Sequence, residues 1–101
     1  MPDQSLAGRD QQRKLARARV DDLLARLDAA PDREAAARVR DLAGHLARAI
    51  DAFHMEAIRF RMFTLERLLA SGDWPAEVHD AFADVKARLE AAGFHTRSVP
   101  H

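Results

Sequence analysis

No cysteine occurs in this chain of 101 residues, and glycine and proline number only four each. Without cysteine there is no disulfide framework, no thiolate metal site and no thiol nucleophile. So few glycines and prolines leave few places where a helix is obliged to stop. An excess of one charge is missing too. Sixteen basic side chains stand against sixteen acidic ones, so no global field directs the protein to nucleic acid, anionic lipid or an acidic substrate. No run approaches the roughly 18 apolar residues of a membrane-spanning helix, and no transmembrane segment is expected. The opening MPDQSLAGRD lacks the basic-then-apolar build of a signal peptide. A cytoplasmic location is the expectation.

What is present suits a helical protein. Apolar residues make up 48% of the chain and charged ones 32%, which is too apolar for disorder. Alanine (21 residues) and arginine (14, against two lysines) dominate, a bias that reads as a GC-rich coding background rather than a functional choice. The length fits one domain with a modest core.

The pattern predicts an all-α fold of three helices, at about 9–29, 32–70 and 75–92. Residues 1–8 are expected to form a flexible arm, 9–94 a single helical domain and 95–101 a flexible tail. In the first helix Ala16, Val20, Leu23, Leu24, Leu27 and Ala30 recur at three-to-four spacing. Asp10–Lys14, Arg17–Asp21 and Asp22–Arg26 are opposite charges four apart. Pro31 disfavours helical geometry at Ala30, and Asp32 is placed to cap the second helix. Ser71-Gly72-Asp73 is a turn in which Gly72 suits a left-handed cap, Asp73 an N-cap and Pro75 a first helical turn. The last helix presents Val78, Phe82, Val85 and Leu89, then stops at Gly93, with Phe94 placed to fold back on Leu89.

The middle stretch organises the chain. Its first half carries one stripe: Ala35, Val39, Leu42, Leu46, Ala49 and Ile50, leading into Phe53. Gly44 lies off the stripe, and the helix is expected to continue through it. From Phe53 to Leu69 there are two stripes. Ala57, Phe60, Thr64 and Leu68 fall within about 60° of Phe53, whereas Met55, Ile58, Met62, Leu65 and Leu69 gather between roughly 120° and 200°. Phe63 is an apolar intruder on one border between them. At 1.5 Å per residue the middle helix would span roughly 58 Å, and the outer two, about 31 and 27 Å, would match it end to end. One flanking layer covers one stripe, so a stripe is left over whichever one the third helix chooses. The expectation is an antiparallel bundle completed by oligomerisation through Met55, Ile58, Met62, Leu65 and Leu69. A homodimer is the first choice, with a different protein or a kinked compact monomer as alternatives.

Chemistry is thin. His45 and His54 are nine residues apart and face different ways, and His79 has no ligand-type residue three or four positions away. Asp41–His45 and Asp51–His54 supply two ligands each, and no HExxH or ExxH pattern occurs. Across an antiparallel dimer His54 and Glu56 of both chains are the place to look for a metal. No cofactor or metal is expected, nor a catalytic residue, since nucleophile triads and phosphate-cradling glycine loops are absent. Asp80 and Asp84, four apart, read as a solvated face relieved by Arg88. Arg9, Arg13, Lys14 and Arg17 are candidate phosphate contacts. Nearby aspartates and the lack of an aromatic or amide side chain poised for base reading favour a solvated face.

A short, a long and a short helix resembles in outline the small helical metal-sensing repressors that assemble as dimers of dimers. Their cysteine ligand has no counterpart here, and no motif of theirs is matched. The expected function is a non-enzymatic helical interaction module, a scaffold, adaptor or regulator acting as a homo-oligomer. The alternatives are a helical regulator making weak nucleic-acid contacts through the first helix, and a small-ligand or metal binder at a dimer interface.

Overall fold

A computed structural model describes residues 6–94, residues 6 and 7 by their backbone alone. The tail expected over 95–101 and the first five residues of the expected arm lie outside the described residues. Four α-helices follow one another: α1 (Leu6–Arg26), α2 (Arg33–Asp51), α3 (Met55–Ala70) and α4 (Ala76–Ala91), with a 3-10 turn, Leu27–Ala29, closing α1. No strand is present among the described residues. The helical start at Leu6 takes in the last part of the expected arm.

The chief correction is the middle helix. It is two helices, broken at Ala52-Phe53-His54 rather than continuous over 32–70. The break is a helix-ending motif without glycine. Phe53 occupies the left-handed region (φ 59°), its N–H donates to the Ile50 carbonyl at 3.1 Å, and the His54 N–H donates to the Ala49 carbonyl at 3.0 Å. The same two-bond arrangement closes α4, where Gly93 (φ 96°) donates to Glu90 and Phe94 to Leu89, both at 2.9 Å. A left-handed non-glycine residue costs roughly 1–2 kcal/mol. His54 then starts the next helix, its Nδ1 accepting the Ala57 N–H at 3.2 Å. One residue closes α2 and opens α3.

The other joints follow sequence chemistry more closely. Ala30 is extended ahead of Pro31, and the Asp32 carboxylate accepts the Ala35 N–H at 3.0 Å. α2 runs through Gly44 without interruption. The 71–75 turn differs from expectation. Gly72 has no positive φ, Asp73 caps nothing, and Pro75 holds the N-cap position of α4. Gly72 is required for another reason: a Cβ there would lie 2.6 Å from the Trp74 indole nitrogen.

Each helix buries a stripe with the same four-three-four spacing. These are Ala16, Val20, Leu23 and Leu27; Val39, Ala43, Leu46 and Ile50; Ile58, Met62, Leu65 and Leu69; and Val78, Phe82, Val85 and Leu89. Four such stripes facing inward make a four-helix core. The core assigned by sequence to two chains is supplied by one. Splitting the middle helix lets α3 turn through the joint and bring its stripe over its own subunit. The likeness in outline to a short–long–short architecture ends with that split.

Neighbours run antiparallel. α1 packs most closely against α4, and α2 against α3. Arg17 pairs with Asp51 at 3.2 Å at one end of the α1–α2 contact, and Arg40 with Asp28 at 3.0 Å at the other. Arg19 reaches Asp84 at 2.7 Å and Arg88 reaches Gln12 at 3.3 Å between α1 and α4. α3 and α4 approach each other less closely, and Lys86 spans the seam to Glu66 at 3.2 Å.

Candidate interaction surface

The inward turn of α3 decides which of its two stripes remains outside. Ile58, Met62, Leu65 and Leu69 are all 2% exposed or less, so the residues expected to form an oligomer interface are core within one subunit. Met55, the fifth, lies at the start of α3 and is 44% exposed. The opposite face is the one left over. Phe60 is 57% exposed and Phe63 41%, while Leu68 and Leu42 stay partly buried at the edge of the core.

Local chemistry holds this face in shape. Thr64 donates its hydroxyl to the Phe60 carbonyl at 2.9 Å, keeping a small side chain against the helix rather than a long one over the ring. The Arg61 guanidinium sits 5.1 Å from the Phe60 ring centroid, and that of Arg67 sits 5.7 Å from Phe63. Such cation–π contacts are worth about 0.5–1 kcal/mol at an exposed site, against roughly 1.5–3 kcal/mol for full burial of an aromatic side chain. The arginines shelter the rings only in part. Between α2 and α3 the same residues open into a shallow, mostly apolar groove of about 450 Å³, edged by Arg38, Leu42, Phe60, Arg67 and Leu68.

Glu56, Phe60, Phe63 and Arg67 stand on this outer face at four-three-four spacing, the spacing of the buried stripes. Among the described residues Glu56 has only a long ion pair, 3.9 Å to Arg59. Arg67 pairs with no carboxylate among the described residues. No family model, curated protein or solved structure matches the chain. The surface therefore has to be read from its own residues.

The basic run of α1 is largely committed elsewhere. Arg13 pairs with Asp10 at 2.7 Å and donates to the Ile50 carbonyl at 3.3 Å. Lys14 pairs with Asp10 at 3.4 Å. Arg17 lies between Asp21 at 3.0 Å and Asp51 at 3.2 Å, and its hydrogen bond to Asp21 raises an already high pKa. Arg9 is exposed and unpaired among the described residues. Of the four candidate phosphate contacts, three already hold carboxylates.

The described histidines are dispersed. His45 Nδ1 accepts from the Arg48 guanidinium at 2.9 Å, and Asp41 lies 3.6 Å from its Nε2. His54 spends Nδ1 on its cap, and His79 is exposed on α4. His95 and His101 lie outside the described residues. Among the described residues no three histidine, aspartate or glutamate side chains gather as a metal site, and no helix is long and apolar enough to cross a membrane. A second pocket, about 350 Å³, lies where the Ala30–Asp32 and Gly72–Trp74 turns meet. The buried Trp74 indole N–H finds no acceptor among the described residues.

Phe60 and Phe63 were legible as apolar but not as surface. The two-stripe pattern held the signal, because Phe63 breaks the border between the stripes on the side that Phe60 shares.

Proposed function

We propose that this chain is a non-enzymatic helical interaction module whose working surface is the outer face of α3, centred on Phe60 and Phe63. One observation carries the reading. The bundle fills its interior with a complete apolar stripe from every helix, yet α3 holds two further phenylalanines on the opposite side, where its own subunit has no use for them. Aromatic side chains flanked by arginines are the composition that protein interfaces favour.

Photo-cross-linking tests this. With p-benzoylphenylalanine in place of Phe60, irradiation in the native host should give a discrete cross-linked band. The same probe at Ala37, exposed on α2, should give none. Equal labelling at both positions, or none at Phe60, would remove the reading.

A further inference from the structure

We propose that the occupant of this face is a second copy of the chain, with two α3 helices packed antiparallel about a two-fold axis. The inference rests on the interaction-module reading and adds the partner's identity. It starts from spacing. Glu56, Phe60, Phe63 and Arg67 make one continuous seam at intervals of four, three and four residues, the rhythm by which two helices interlock side chains along their length. Its centre is aromatic and its two ends carry opposite charges.

That order makes the seam self-complementary in one direction only. Laid antiparallel with Phe60 against the partner's Phe63, the register automatically sets Glu56 against the partner's Arg67, and the two-fold repeats both contacts. The flank agrees. Arg59 and Glu66 border the seam on one side, and the same register brings Arg59 opposite the partner's Glu66. On the other side stand Ala57 and Thr64, small enough for the backbones to come close. A parallel pairing would instead set Glu56 on the partner's Glu56 and Arg67 on the partner's Arg67, two like-charge contacts. Sliding by a heptad would put a phenylalanine against a charge.

The charges that a dimer would use are those the lone subunit leaves loosely held among the described residues: Glu56 with its 3.9 Å pair and Arg67 with no carboxylate. Glu66 is shared with Lys86 at 3.2 Å and is still 45% exposed. A membrane surface fits less well, because Glu56 and Glu66 edge the same apolar strip and would face anionic lipid. A four-turn helix pair stands at the small end of specific interfaces, so exchange between monomer and dimer is fast.

Sedimentation equilibrium from ~10 µM to ~1 mM protein reads the equilibrium directly. Wild type should move from 11.3 kDa toward twice that mass. Glu56→Arg and Arg67→Glu should each weaken association by about tenfold or more, with unchanged helical circular dichroism because both side chains are exposed. Mixed in equal amounts, the two variants are complementary and should associate with each other. The variant carrying both substitutions should recover self-association. Wild type fixed at 11.3 kDa to ~1 mM, single variants that associate like wild type, or a mixture without recovery would each overturn the two-fold seam. The benzoylphenylalanine probe at Phe60 separates this failure from the broader one. A cross-link to the chain itself supports the second copy. A cross-link to a different protein, or binding to anionic phosphatidylserine vesicles abolished by Phe60→Ser, refutes the second copy. Of these two, the cross-link keeps the protein-interaction face and vesicle binding alone does not. A cross-link to nothing refutes both.

Discussion

The guanidinium of Arg13 lies 4.3 Å from the centroid of the Phe53 ring, so the first turns of α1 clamp the residue that ends α2. The same guanidinium donates to the Ile50 carbonyl, inside the helix end that Phe53 closes. The Phe53 ring also meets Phe94, with centroids 6.0 Å apart and planes tilted by 41°. Three parts of the chain meet at this joint, and their contacts offset the left-handed backbone that Phe53 adopts.

Two substitutions separate the ring from the backbone. Phe53→Ala loses the cation–π and ring–ring contacts and keeps the left-handed cost. Phe53→Gly loses the same contacts and relieves that cost. Urea unfolding should therefore find Phe53→Gly more stable than Phe53→Ala by about 1 kcal/mol. Alanine equal to or better than glycine would mean that the helix does not end there in the left-handed form.

Asp10 anchors Arg13 from below. The hydrogen bond from Arg13, reinforced by Lys14, holds the Asp10 carboxyl under the usual carboxylate range. A carboxylate with a depressed pKa in the folded chain stabilises it fully above its unfolded value, near pH 4, and that contribution fades as the pH falls through the folded value. Asp10→Asn should accordingly flatten the stability-against-pH curve below about pH 4 while leaving its slope near neutrality unchanged. An acid limb as steep in the variant as in wild type would show the pair to be idle.

The two faces of α3 should respond very differently to truncation. Met62→Ala empties a fully enclosed site and should cost about 2–5 kcal/mol. Phe60→Ala removes a ring that is mostly in water, and in the dilute monomer should cost no more than about 1 kcal/mol. Ile58→Glu with Met62→Glu, a substitution suited to breaking an interface, should unfold the subunit instead. Chemical denaturation at low protein concentration measures all three.

Gly72→Ala addresses the turn between α3 and α4. With 2.6 Å between the added Cβ and the Trp74 indole nitrogen, the ring must move, and overpacking of this kind costs about 1–3 kcal/mol. Trp74 is the only tryptophan, so its emission should shift in the folded variant. Unchanged emission and stability would show the turn to be looser than the structure has it.

Much of the fold was readable before the structure. The buried faces of α1 and α4, the Pro31–Asp32 joint, the continuity through Gly44 and the Gly93–Phe94 ending follow from spacing and turn chemistry. The break at Phe53 was hidden because its left-handed position carries a phenylalanine, which no local rule marks as a stop. The sign of it was the change of phase itself. A stripe continued from Val39, Leu46 and Ile50 runs on through Phe53, Ala57, Phe60 and Thr64, whereas the core resumes at Ile58. Two phases in one apparent helix meant two helices, and the stripe expected to be surplus, Ile58, Met62, Leu65 and Leu69, is core, while Phe60 and Phe63 on the other side of α3 are exposed.

The inward turn of α3 is open to a direct measurement, because the chain has no native cysteine. Met62→Cys and Phe63→Cys place single thiols on neighbouring residues, one buried and one exposed, and their reaction with a thiol reagent can be timed at ~1 µM protein. The cysteine at 63 should react at nearly the rate of a free thiol, and the cysteine at 62 about a hundredfold more slowly or less, through opening of the bundle alone. Equal rates, or the faster reaction at 62, would contradict the account.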